Sequence, residues 1–229
     1  MNLLAIETST EACSVALHHA GHVIERSELA PRRHAELVLP MADALLAEAG
    51  LRRRQLDAIA VGRGPGAFTG VRLAVSLAQG MALGLDLPVI PVSSLAALAL
   101  DAPDNGTDVL SVIDARMGEI YACCYRREGS IVVALDEERV CAPERLELPA
   151  GEAWNVIGSG WKTYATVLSG KLPAPSWSDG ERYPQARAVA LLAAAEFNAG
   201  RGLVPELALP LYLRDKVALT LVEQRAARG

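Results

Sequence analysis

The chain has 229 residues, enough for one large domain or two small ones that each bury a core. Its hydrophobic fraction of 51% against 21% charged residues excludes a disordered or fibrous chain. A formal net charge of −5 argues against a dedicated nucleic-acid grip, so any RNA would be held mainly by another protein.

The first residues are strand-like, without a basic region, apolar stretch and small-residue cleavage site. The longest nearly uncharged run, residues 73–85, falls short of the roughly 20 apolar residues of a membrane span. A cytoplasmic protein with no membrane contact is expected. Residues 3–10, LLAIETST, read as a buried strand ending in the acid Glu7. CSVALHH at 13–19, a turn at Ala20-Gly21 and HVIERSEL at 22–29 complete a three-strand meander. A helix follows from about His34 to Ala49, then a strand at 57–62, a helix at 69–84, a strand at 88–92 and a third helix from Ser93. About 107 residues after the first strand the meander recurs as VLSVID, EIYACCYR and SIVVAL, an internal duplication. Weaker signals give a strand at 154–157, a helix at 161–168 and an alanine-rich helix at 185–198; residues 215–225 are helix-compatible.

The order βββαβα in both halves points to an α/β protein of two ribonuclease-H-like subdomains, the actin-like (ASKHA) arrangement. Residues 1–103 form the first subdomain and 104–204 the second, with the boundary in the Pro, Asn and Gly cluster at 101–108. The tail, 205–229, is expected to pack back on the first.

In such folds two strand-end acids face each other across a cleft, here Glu7 and Asp114, and glycines beside them let backbone amides approach a phosphate. Thr8 and Ala115 occupy those positions instead. The nearby candidates are Ser9, Arg116 as an ion-pair partner of Asp114, and Gly64 and Gly66 of the turn VGRGPGAFTGVR, with Thr69 as a helix cap. No lysine follows the last glycine, so the turn is not a Walker loop. Gly158-Ser159-Gly160 could abut a base. His34 heads a helix with Val38 one turn on, which leaves a metal site without its second histidine. Cys13, Cys123, Cys124 and Cys141 form no CxxC pair and read as buried thiols.

The first two helices are apolar beyond one face. HAELVLPMADALLAEAG spreads its large side chains around the axis, and Pro40 should start or kink the helix. TGVRLAVSLAQGMALG carries one charge, Arg72, among small residues. One reading places both inside their own domain. The other has them present an apolar face to a second protein as half of a four-helix bundle, through His34, Leu37, Val38, Met41, Leu45, Thr69, Arg72, Leu73, Ala74, Leu77 and Met81.

IETST, GRGPGAFTGVR, IDARMGEIYACCY and PLYLRDKVA together resemble the TsaB (YeaZ) family. The resemblance implies a non-catalytic subunit in the formation of threonylcarbamoyladenosine beside the tRNA anticodon. It implies docking to a catalytic paralogue of the TsaD type, with a TsaE-type ATPase joining, a homodimer in isolation, and tRNA touched only indirectly. No cofactor is expected on this chain alone, with ATP or ADP at the complex interface. Two rivals come from the same superfamily: an ATP-binding phosphotransferase or ATPase using Glu7 and Asp114, and a metalloprotease, which lacks its second histidine.

Overall fold

The computed structural model describes residues 1–214; the helix-compatible stretch at 215–225 lies outside them. The first half contains β1 (Leu3–Glu7), β2 (Ala12–His19), β3 (His22–Leu29), α1 (His34–Glu48), β4 (Ala58–Gly62), α2 (Phe68–Leu85), β5 (Val89–Val92) and α3 (Ser94–Leu100). The second contains β6 (Val109–Arg116), β7 (Glu119–Glu128), β8 (Ile131–Ala134), β9 (Arg139–Cys141), β10 (Asn155–Ile157), α4 (Ser159–Leu168), β11 (Trp177–Asp179) and α5 (Ala186–Asn198).

The two sheets repeat one topology. The first runs β3-β2-β1-β4-β5 and the second β8-β7-β6-β10-β11, with β9 added beside β7. In each, the meander is antiparallel and the later strands are parallel to the first. β1 sits at the centre of its sheet and is covered on both faces, which is why LLAIE is a continuous apolar run with no polar alternation. Leu4 and Ile6 meet α1 and α2 on one side, while Leu3 and Ala5 face the other.

That other face is covered from a distance in sequence. α5, expected to belong to the second subdomain at 104–204, lies instead on the first sheet, where Ala186, Val189, Ala190 and Ala193 pack against Leu3, Ala5, Ala16 and Ala60. In exchange, α3 sends Leu95, Leu98 and Ala99 onto Val109, Ile113 and Tyr125 of the second sheet. Each half therefore lends its last helix to the other. The small residues of α5 let it lie against both the sheet and α3.

The halves also differ where the sequence suggests a repeat. Between β8 and β10, where the first half has α1, the second has β9 and a 3₁₀ turn at Pro143–Arg145. Pro143, Pro149 and Gly151 leave no uninterrupted helical period there. α1 itself runs through Pro40 without a break. Pro40 and Glu36 are both exposed, so water reaches the Glu36 carbonyl that loses its backbone donor.

After α5 the chain returns to the first sheet. Leu203 pairs with Val89, and Gln79 Nε2 on α2 donates to the carbonyls of Pro205 (3.0 Å) and Ala208 (3.2 Å). The Leu211 amide donates to Arg63 O at 2.8 Å. Arg214 then crosses to the second half, donating to Glu119 at 3.0 Å and to the carbonyls of Ala115 and Arg116 at 3.1 and 3.3 Å.

Candidate functional site

The end of β1 is closed. Glu7 is wholly buried; its carboxylate accepts from the Ser9 amide at 2.6 Å and from Ser94 Oγ at 2.7 Å. Gly62 lies so close that a Cβ there would come within 1.9 Å of the Glu7 carboxylate. Burial pushes the Glu7 carboxyl above its ordinary range, against the hydrogen bonds from Ser9 and Ser94. The expected pair of acids across an open cleft is thus corrected: Glu7 faces inward and does not line the cavity between the halves.

The glycine-rich turn is used the same way. A Cβ at Gly66 would lie 2.3 Å from Ser9 O, and one at Gly70 would lie 2.0 Å from Thr8 O. The Ala67 amide donates to Ser9 O at 2.7 Å and Thr8 Oγ1 donates to Gly70 O at 2.7 Å. The start of α2 is therefore sealed against the β1–β2 turn. Gly64, at φ 93°, is buried behind it, its carbonyl accepting from the Ser94 amide, and does not reach the cavity. Ala67, not Thr69, occupies the cap position, and α2 starts at Phe68. In the second half Gly158 and Gly160 bring α4 against Val112 of β6, at 2.3 Å for either Cβ, so this pair serves packing as well.

A cavity of about 640 Å³ remains between the halves, lined by Thr8, Ser9, Gly66, Asp114 and Arg116 among the residues expected at the cleft and by His34, Thr69 and Leu73 among those expected at a partner surface. Arg116 spans it, pairing with Asp114 at 2.9 Å and with Glu11 of the β1–β2 turn. The Asp114 amide is held by Ser159 Oγ at 3.1 Å. Its acid is thus spent on a guanidinium that bridges the two halves. His34 Nε2 donates to Thr10 O at 3.0 Å, and no group of three or more potential metal ligands occurs among the described residues. Arg32, Lys162 and Tyr183 also line the cavity with no motif to mark them in the sequence, beside Tyr121 of IDARMGEIYACCY.

α1 and α2, whose first turns border the cavity at His34, Thr69 and Leu73, cover one face of the first sheet. Three residues expected at a partner surface, Val38, Leu45 and Ala74, are 0–1% exposed and belong to the core, because they point at β1, β2 and β4. Leu37, Met41, Leu73, Leu77 and Met81 are half-buried, Thr69 and Arg72 are exposed, and Leu39 and Leu83 are 44% and 57% exposed. His34 turns to the cavity. Among the described helices α2 alone is long and apolar enough to cross a membrane by length and composition; its Ala74, Ala78 and Ala82 lie on the sheet. Two residues that sequence reasoning missed flank Arg72: Phe68, one of only two phenylalanines, and Tyr212 from the tail. The available signal was their place in GRGPGAFTGVR and PLYLRDKVA.

The four cysteines are free. Burial pushes the Cys13 thiol up to about 11 and the Cys123 thiol up to about 12, so neither supplies a thiolate nucleophile near neutrality.

Known proteins share this architecture. The family described as TsaD, tRNA N6-adenosine threonylcarbamoyltransferase, matches residues 23–218. The tRNA threonylcarbamoyladenosine biosynthesis protein TsaB of Escherichia coli is 42% identical, over 95% of this chain and 96% of its own length. The Haemophilus influenzae protein of the same description is 40% identical, over 95% of both. The solved structure of YeaZ from Pseudomonas aeruginosa superposes with a TM-score of 0.86 at 43% identity, covering 93% of this chain and 99% of that one. With identity at this level across almost the whole length, and the duplicated actin-like fold in common, the chain belongs to the TsaB (YeaZ) family of tRNA threonylcarbamoyladenosine biosynthesis proteins.

Proposed function

We propose that this chain serves tRNA threonylcarbamoyladenosine biosynthesis as a non-catalytic, cytoplasmic subunit that docks a TsaD-type catalytic paralogue through α1 and α2. The observation that carries this reading is the contrast between the two candidate sites. The cleft acids are committed, Glu7 to Ser9 and Ser94 and Asp114 to Arg116, whereas Leu37, Met41, Leu73, Leu77 and Met81 form a half-covered apolar face. A second protein covering that face would remove apolar surface from water at about 25 cal/mol per Å², in an interface of about 1,600 Å². The same face would pair two copies of this chain when the paralogue is absent. A TsaE-type ATPase joins through the paralogue, tRNA is held by the assembly, and any ATP or ADP is shared at the interface.

Leu77→Asp tests it. A carboxylate at this half-buried position stays hydrated in the free chain and is stranded in the complex, so co-elution with the paralogue on a sizing column is lost while the circular dichroism spectrum of the chain alone is retained. Retained co-elution would refute docking through α2. The rival phosphotransferase reading predicts tight ATP binding by the isolated chain in calorimetry; the inward position of Glu7 favours its absence.

A further inference from the structure

α2 carries a single charge, and the structure immobilises it. The Arg72 guanidinium carbon lies 3.7 Å from the centre of the Phe68 ring and 5.4 Å from that of Tyr212. Arg72 Nε donates to Tyr212 Oη at 2.6 Å, and the two rings stand 5.7 Å apart. All three residues remain exposed, Phe68 at 43% and Tyr212 at 47%. Tyr212 is there because residues 203–211 are tied along the first half by Val89, Gln79 and Arg63. The same strap displays Leu207 and Leu209, 61% and 63% exposed, beside α2. An exposed arginine normally loses side-chain entropy on binding; this one is already held by stacking and a hydrogen bond. Among the described residues its terminal nitrogens have no acid partner.

We propose that the docking face is composite, α2 plus the strap at 203–212, and that Arg72, clamped between Phe68 and Tyr212, is its charged anchor for a carboxylate of the partner protein. This rests on the docking reading above. The chemistry selects an acid on a protein surface over an RNA backbone. A planar guanidinium fork matches one carboxylate, the surroundings are leucines, and α2 offers no second cation to follow a run of phosphates. A carboxylate docked there is shielded by the aromatic rings and leucines, where charge-assisted hydrogen bonds gain strength. Tyr212 is a positioning residue: it acts through Arg72.

The experiment is calorimetric titration of the whole chain with its TsaD-type paralogue at low and high salt, using wild type, Arg72→Gln, Tyr212→Phe and Leu77→Asp. Arg72→Gln is expected to raise Kd about tenfold or more and to flatten its salt dependence; Tyr212→Phe, which keeps the ring and removes the hydrogen bond to Arg72 Nε, raises Kd about threefold. Unchanged affinity and salt slope in Arg72→Gln, with Leu77→Asp still abolishing binding, would overturn the anchor and leave docking in place. Binding that survives Leu77→Asp would remove the reading beneath it. If Arg72→Gln weakens only self-association, or only retention of tRNA in a filter assay, a second copy or RNA is the occupant and the proposal is wrong.

Discussion

Gly70→Ala is expected to destabilise the chain by about 3 kcal/mol or more, seen as a fall of about 10 °C in the thermal midpoint. The cause is contact between two backbones. The added methyl would sit 2.0 Å from Thr8 O, on a turn anchored by the central strand β1, and Thr8 Oγ1 already grips Gly70 O across the same gap. Neither side can yield by rotating a side chain, so α2 must lift from the sheet or β1 must bend. Gly80 and Gly84 supply the control within the same helix. A Cβ at either meets nothing within 4 Å, so Ala there gains helix propensity and stabilises by up to about 1 kcal/mol. Urea melts of the three variants measure the contrast. A Gly70→Ala variant as stable as Gly80→Ala would mean that α2 is not seated on the β1–β2 turn.

The same contact explains what could be read in the sequence. Apolar period and turn residues placed nearly every element, because each depends on its own neighbours: β1 as an apolar run, the Ala20-Gly21 turn, α5 as an alanine-rich helix closed by Gly200. β9 and β11, three residues each, carry too short a pattern to register. The exchange of α3 and α5 between halves escaped because alanines show that a helix is closely packed without naming the sheet it packs on. At the site, sequence located the acids and glycines and missed their orientation. Gly66 and Gly70 satisfy a phosphate-binding turn and a backbone contact equally well; what decides is the carbonyls of Thr8 and Ser9, some 60 residues away in the chain. Glu7 looks like a cleft acid until Ser94, from the start of α3, is found on its carboxylate. Tyr212 on Arg72 joins residues 140 apart, beyond any local pattern.

Glu7→Gln should change how stability depends on pH. In the folded chain burial raises the Glu7 carboxyl above its ordinary value of 4.5, and the unfolded chain restores that value. Below about 4.5 both states hold the proton and the group contributes no pH dependence. As the pH rises past it, the unfolded chain releases its proton while the native chain keeps it, so wild-type stability falls until the pH passes the native value. Each unit of elevation is worth about 1.4 kcal/mol. Glutamine keeps an acceptor for the Ser9 amide and presents Ser94 Oγ with a donor, at the cost of one extra N–H beside Gly62. The variant is therefore somewhat weaker than wild type in acid and gains on it toward neutrality, a drift read between pH 4 and pH 7.5 in paired urea melts. A drift of the opposite sign would show an ionised Glu7 stabilised by its two donors, and a strand-end carboxylate charged at neutral pH would revive the phosphotransferase alternative that its buried position now opposes.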